Sequence, residues 1–206
     1  QNNGAAPVVN YTNVSANTVN VNLSTGEDTL VVNATASADT VTVNVPGETV
    51  NTGGNGGIVN FSAGAPDAIT ANALQGNDII NVTSGTIPVF VDGGDPIGPV
   101  GDTLNITADT SSLFVPGPES DEGGFTLDGN ERVSYDHIEA ASVSDSDDYG
   151  GDLNVTVCGT NGDDDITVIG TGTNSYTVSV NAGPAVAYIG STDLRIEAKS
   201  GDDDID

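Results

Sequence analysis

Aliphatic residues recur at alternate positions in short runs along this chain, and most runs are opened by Asp or Asn. The clearest are Asn17-Thr18-Val19-Asn20-Val21, Asp28-Thr29-Leu30-Val31-Val32, Asp39-Thr40-Val41-Thr42-Val43, Asp67-Ala68-Ile69-Thr70-Ala71, Asp78-Ile79-Ile80-Asn81-Val82 and Asp102-Thr103-Leu104-Asn105-Ile106. Asp164-Asp165-Ile166-Thr167-Val168 and a truncated Asp203-Asp204-Ile205 follow later. A period of two over about five residues is the pattern of a strand that buries one face. The steps from 17 to 28, 28 to 39 and 67 to 78 are each eleven residues, one strand plus one bend. Two or three such steps are expected to make one coil of a stack. Asn22, Asn33, Asn44 and Asn72 fall at the same point of their units, which predicts side-chain amides bonded up and down a ladder.

The second half repeats at a longer interval. The run Arg132–Glu139 precedes an acidic turn and Gly151-Asp152-Leu153-Asn154-Val155, and Ala185–Glu197 precedes Gly201-Asp202-Asp203, with Tyr135 and Tyr188 separated by 53 residues. Segments 92–103 and 116–124 are rich in Gly, Pro and acids and read as loops. The predicted class is all-β: a parallel β-solenoid, β-helix or β-roll-like, with irregular coils and loop insertions. Its N-terminal coils, 1–110, carry the eleven-residue rhythm and its C-terminal coils, 111–206, carry acidic Gly-Asp turns. One continuous solenoid is an equal reading of the same pattern. The final motif stops where earlier copies run on into a strand, so a longer chain is expected.

Composition supports strands and turns. Of the 206 residues none is Met or Trp, 27 are Gly, and Val, Thr, Asn and Asp are abundant where helix formers are scarce. Thirty acids face three Lys+Arg, a formal charge of −27, which argues against nucleic acid or an anionic membrane as partner. No apolar run approaches the roughly 18 residues of a membrane span. The single Cys158 leaves no internal disulfide, and after Val155-Thr156-Val157 it reads as a small buried hydrophobe.

The turns Gly76-Asn77-Asp78-Ile79-Ile80, Asn161-Gly162-Asp163-Asp164-Asp165-Ile166 and Gly201-Asp202-Asp203-Asp204-Ile205 resemble those of haemolysin-type (RTX) calcium-binding β-rolls and of related bacterial and archaeal extracellular β-solenoid repeat proteins. The resemblance is strongest over 135–206. It implies a secreted, extracellular protein of the cell surface, with a role in adhesion, a surface layer or matrix. The departure is that each acidic turn here stands alone, whereas the calcium β-roll sets its turns in tandem so that adjacent coils share an ion.

Ca²⁺ takes six to eight oxygens, and three adjacent carboxylates repel unless a cation lies among them. The expected metal ligands are therefore Asp163, Asp164 and Asp165, Asp202, Asp203 and Asp204, with Asp78 and Asp102 from the single-acid turns. Asp28, Asp39 and Asp67 read as turn caps. Asn-x-Ser/Thr triplets at Asn10, Asn13, Asn22, Asn33, Asn60, Asn81, Asn105 and Asn154 are glycan acceptors in a secreted protein, with Asn60, Asn81, Asn105 and Asn154 the better candidates because Asn22 and Asn33 are ladder positions.

The predicted function is non-enzymatic: a Ca²⁺-stabilised structural protein of a surface layer, fibre, filament or adhesin, self-associating through open coil ends and able to meet surface polysaccharide or glycan. His137 is the only His and lies in a predicted strand without a supporting triad motif. The alternative is a polysaccharide-acting β-helix enzyme, a lyase or glycosidase using a carboxylate pair. Nine Phe+Tyr and only Arg132, Arg195 and Lys199 as cations make its sugar subsites sparse.

Overall fold

The computed structural model describes residues 18–22, 26–53, 57–62, 66–96, 101–146 and 152–206. Asn10, Asn13, Asn17 and Gly151, named above, lie outside these. The described residues form strands without a helix. In chain order the strands are β1 (Thr18–Val21), β2 (Thr29–Asn33), β3 (Thr40–Asn44), β4 (Thr49–Asn51), β5 (Ile58–Phe61), β6 (Ala68–Asn72), β7 (Ile79–Thr83), β8 (Val89–Asp92), β9 (Thr103–Ala108) and β10 (Ser111–Pro116). They continue with β11 (Gly123–Leu127), β12 (Val133–Asp136), β13 (Ala140–Asp145), β14 (Leu153–Cys158), β15 (Asp165–Gly172), β16 (Ser175–Val180), β17 (Val186–Ile189), β18 (Ser191–Glu197) and β19 (Asp204–Ile205).

Two sheets result, both mostly parallel and neither closed. The larger has eleven strands in the order β1-β5-β4-β3-β7-β9-β13-β17-β16-β15-β19, and the smaller eight in the order β18-β14-β10-β11-β12-β8-β6-β2. An eleven-residue step carries the chain from one sheet to the other: β2 lies in the smaller sheet and β3 in the larger, as do β6 and β7. Parallel partners then come 39 residues later in the chain. Leu30 of β2 faces Ile69 of β6, and Val41 of β3 faces Ile80 of β7.

The alternating runs explain the burial. In β9, Leu104, Ile106 and Ala108 are buried while Thr103, Asn105 and Thr107 are half-buried. Equivalent residues line up across each sheet. Val43, Val82, Ile106, Val143 and Tyr188 form one row of the larger sheet, and Leu30, Ile69, Val89, Val133, Phe125 and Phe114 one row of the smaller. Both rows belong to a single apolar cluster. Within it Phe114 packs tilted against Phe125, ring centroids 5.1 Å apart, and Phe125 stacks on Tyr135 at 5.8 Å. Gly123 faces Tyr135 across the strands, where any Cβ would meet the phenol ring.

Antiparallel strands enter at three places, β3-β4-β5, β10-β11-β12 and β15-β16-β17. In each the chain steps ahead, doubles back through one antiparallel strand, and returns parallel to the layer it left. The sequence pattern did not reveal these meanders, because β4, β11 and β16 are preceded by Glu48, Glu122 and Asn174 rather than by the Asp that opens most other runs. They also account for the longer rhythm of the second half. Tyr135 and Tyr188 lie on the closing strands of two meanders, but in opposite sheets. Segment 110–125 holds β10 and the start of β11, and β10 pairs on into β14, so hydrogen bonding runs through it.

Amide ladders form, with membership different from the predicted set. Asn72 donates to Asn33 at 2.7 Å as expected. Asn44 instead accepts the Gly47 N–H inside its own turn. Asn60 donates to Asn20 at 3.0 Å, Asn105 to Asn81 at 3.2 Å, and the Ser142 hydroxyl to Asn105 at 2.8 Å.

Ile106 tests the shared core, being 1% exposed between Val82 and Val143. Ile106→Ala is expected to destabilise the chain by about 2–5 kcal/mol. The measurement is a lowered urea midpoint at unchanged m-value. A loss below about 1 kcal/mol would contradict the core described here.

Candidate functional site: rows of stacked carboxylates

The residue just before a strand has an N–H that the sheet ladder does not reach, and a backbone donor left unpaired in the interior is costly. This chain answers with carboxylates. The Asp39 N–H donates to Asp78 Oδ1 at 2.6 Å, the Asp78 N–H to Asp102 Oδ1 at 2.7 Å, and the Asp102 N–H to Glu139 Oε2 at 2.5 Å. The Asp28 N–H donates to Asp67 Oδ2 at 2.7 Å and the Asp164 N–H to Asp203 Oδ1 at 3.1 Å. Each acid's carbonyl is then taken by the next strand: Asp39 O accepts from Ile79, Asp78 O from Thr103, and Asp102 O from Glu139 and Ala140. An ionised acceptor makes such bonds roughly twice as strong as neutral ones. The run-opening acids of the sequence thus bind one layer to the next, where a layer is the chain between one acid of a row and its successor.

The spacing shows why the rows were hidden. Successive acids are 39 residues apart at Asp28/Asp67, Asp39/Asp78 and Asp164/Asp203, but 24 at Asp78/Asp102 and 37 at Asp102/Glu139. The short interval is the layer without a meander. Glu139 was missed as a member because it closes the Arg132–Glu139 run rather than opening one. Its place immediately before β13 is the signal that identifies it.

Asp78 and Asp102, both among the expected metal ligands, are buried at the centre of the longest row, at 1% and 0% exposure. Only one oxygen of each is bonded; Asp78 Oδ2, Asp102 Oδ2 and Glu139 Oε1 are buried without a hydrogen-bond partner. Burial pushes the Asp102 carboxyl up to about 6. The Asp78 N–H opposes that rise, while the negative charges of Asp78, Glu139 and Asp92 add to it. Asp78 is raised by burial as well, against the Asp39 N–H and with the help of the Asp39 charge.

The triple-Asp turns at 163–165 and 202–204 are differently built. Asp163 is exposed, and its Oδ1 accepts the Asp202 N–H at 2.9 Å. Asp164 is buried with both oxygens occupied, taking the Thr160 hydroxyl at 2.9 Å, the Thr160 N–H at 2.8 Å and the Asn181 amide at 2.6 Å. Burial alone would raise its carboxyl, but those bonds outweigh it and hold Asp164 below the usual range. Asp39 takes the same pair from Thr35, also four residues earlier, at 2.8 and 2.6 Å. Asp165, Asp202 and Asp204 project into solvent and Asp203 is half-buried. Among the described residues, no three His, Cys, Asp or Glu side chains converge as a metal-holding group.

His137, at a positive φ of 54°, places Nδ1 2.9 Å from Asp92 and 3.9 Å from Asp136. The bond to Asp92 raises its pKa above the ordinary value against desolvation, which lowers it, and the Asp136, Asp92 and Asp121 charges raise it further. Cys158 is buried as read, and burial pushes its thiol up. Asp128 caps the start of β10 by accepting the N–H groups of Asp109, Thr110 and Ser111 at 2.7, 2.7 and 2.8 Å, bonds that outweigh its burial and lower its pKa. Among the glycan candidates, Asn60 and Asn105 spend their amides in the ladders, Asn81 accepts in one, and Asn154 is exposed with its amide on the Asp152 and Thr110 carbonyls. A cleft of about 180 Å³ between the turns after β10 and β16 is lined by Phe114, Glu122, Tyr135 and Pro184, among others.

No protein-family model, curated protein or solved structure matches this chain.

The raised and lowered groups together set the pH dependence. Asp102 binds its proton more tightly folded than unfolded, so its contribution is full below about pH 4 and lost as pH rises through about 6. That displacement is worth about 3 kcal/mol. His137 acts in the same sense, its contribution fading as pH rises above about 6.5. Asp128 and Asp164 act oppositely, losing theirs only as the solution is acidified below about pH 4. Thermal unfolding is therefore expected to show a higher midpoint near pH 5 than at pH 8, and a higher midpoint at pH 8 would refute the assignment.

Proposed function

We propose that this chain is a non-enzymatic structural module of an extracellular surface layer, fibre or adhesin, built as a flattened two-sheet β-solenoid with meander insertions. The observation that carries the reading is the use of its acids. Carboxylates recur at the junction between layers and accept backbone N–H groups, so the residue type that dominates the charge of the chain holds strand to strand. The solenoid reading is further supported by strands that alternate between the sheets and pair in parallel with strands a circuit away. The likeness of the acidic turns to those of RTX-type surface proteins supports the extracellular placement.

Ca²⁺ enters this proposal at the solvent-facing acids of the paired turns, Asp163, Asp165, Asp202 and Asp204, where Asp163 accepts the Asp202 N–H and Asp165 pairs with Asp204 along the backbone. Self-association enters through the sheet edges. The outermost strands are β1 and β19 in one sheet and β2 and β18 in the other, and an edge strand offers unpaired N–H and C=O groups to a second copy.

Calorimetry and sedimentation velocity test the two parts separately. EDTA is expected to lower the unfolding temperature and Ca²⁺ to restore it, because a ligand bound only by the native state stabilises by mass action. An unchanged transition rejects the metal. Sedimentation is expected to reveal assemblies that grow with protein concentration, and a monomer at every concentration with and without Ca²⁺ rejects self-association.

A further inference from the structure

The cleft between the turns after β10 and β16 has no part in binding layer to layer. Phe114, Tyr135 and Val180 are the buried part of its lining, and Pro116 and Pro184 the half-buried part. The two turns come close at one side, where a Cβ on Gly183 would sit 3.0 Å from the Ser120 carbonyl oxygen. At about 180 Å³ the space is many times what a single water needs.

Two glycines shape this cleft around a phenol and a carboxylate. The Tyr135 hydroxyl passes over Gly123, where a Cβ would stand 2.8 Å from it. Gly123 pairs with Pro116 and follows Glu122, both of which line the cleft, so the hydroxyl end of the ring is the end aimed into it. Tyr135 is 2% exposed and its hydroxyl has no hydrogen-bond partner, a costly condition for an enclosed polar group. The Glu122 side chain folds over Gly117, where a Cβ would collide with it, and its Oε1 accepts the Glu119 N–H at 2.7 Å. Burial, and then the negative charges of Asp121 and Glu122, push the Tyr135 phenol above its ordinary range, so it remains a neutral hydroxyl whose oxygen can accept.

The charge of the lining decides what fits. Glu119 and Glu122 line the cleft, and among the described residues no Lys, Arg or His does. An anion is repelled there. A purely apolar guest leaves the hydroxyl unpaired. An ammonium carries three donors and no acceptor, and so matches a hydroxyl oxygen beside a carboxylate.

We propose that this cleft binds a primary alkylammonium group, its N–H donors shared between the Tyr135 hydroxyl oxygen and the Glu122 carboxylate and its methylenes laid against Phe114, Val180 and Pro184. Free amines and the lysine side chain of a partner protein both carry this head group. The site uses none of the acids at which Ca²⁺ is proposed and none of the edge strands, and it depends on neither reading.

Titration calorimetry with pentylammonium tests the site, with pentanol and pentanoate as neutral and anionic probes of the same chain length. Saturable binding of about one pentylammonium per chain is expected, at least about tenfold tighter than either control. Tyr135→Phe deletes only an unpaired hydroxyl, and Glu122→Gln keeps an acceptor for the Glu119 N–H; each is expected to weaken pentylammonium by about tenfold or more. Glu131→Gln, at an exposed acid outside the cleft, is expected to leave it unchanged, which separates the site from general attraction to a chain of charge −27. Nuclear Overhauser contacts from the pentylammonium methylenes to Val180 and Pro184 are expected in the wild type and require no variant to fold. A lysine peptide blocked at both termini that displaces pentylammonium assigns the head group to a partner's side chain, and its exclusion while pentylammonium binds assigns it to a free amine. Pentanol binding as tightly as pentylammonium, binding without those contacts, or affinity equal in all three variants overturns the proposal. Displacement of pentylammonium by Ca²⁺ at matched ionic strength also overturns it, by making the cleft acids a metal site.

Discussion

A carboxylate that accepts the backbone N–H of an equivalent residue one layer away is the interaction on which the stacking of this chain rests. Parallel strands satisfy each other along their length, but the turn that delivers each strand leaves a donor with no carbonyl across from it. Asp is short enough to reach that donor from the neighbouring turn, and its charge strengthens the bond. The same acid passes its carbonyl to the next strand, so register between layers is set at the turn before any side chain in the strand is packed. The aliphatic rows from Val43 to Tyr188 and from Leu30 to Phe114 then follow from that register.

Concentrating charge at the layer junctions has an electrostatic price. Where the acids reach solvent, as at Asp163 and Asp202, water screens them. Where they are enclosed, as at Asp78 and Asp102, neighbouring carboxylates reinforce one another's reluctance to ionise. Asp164 shows the other resolution of burial, with a hydroxyl, an N–H and an amide gathered on one carboxylate. The contrast between Asp102 and Asp164 is a contrast in donors supplied, since both are almost fully buried.

Much of this was legible in the chain itself. Alternation of aliphatic and polar residues marked β2, β3, β6, β7 and β9, and the eleven-residue step marked the passage between sheets. Which acid meets which was not legible, because that depends on the interval between paired strands, and the interval depends on the meanders. β4, β11 and β16 are preceded by Glu48, Glu122 and Asn174 rather than by Asp, and their neighbours are reached by hairpin turns, where local geometry replaces the layer-to-layer bond. Asn44 was misplaced in the amide ladder for a related reason: the turn into β4 recruits its side chain to Gly47. Glu139 does at the head of β13 what Asp does elsewhere, with a longer side chain that the run-opening pattern does not flag.

The three meanders also bear on how such a chain reaches its folded form. Most of its pairings join residues far apart in sequence, and the entropy of closing those circuits must be met before any contact rewards it. A hairpin closes only a few residues and forms quickly. β3-β4-β5, β10-β11-β12 and β15-β16-β17 are spaced along the chain, and each bears strands that later accept parallel neighbours. Among the described residues they supply the strand pairings of short sequence separation, in an architecture whose other pairings join distant parts of the chain.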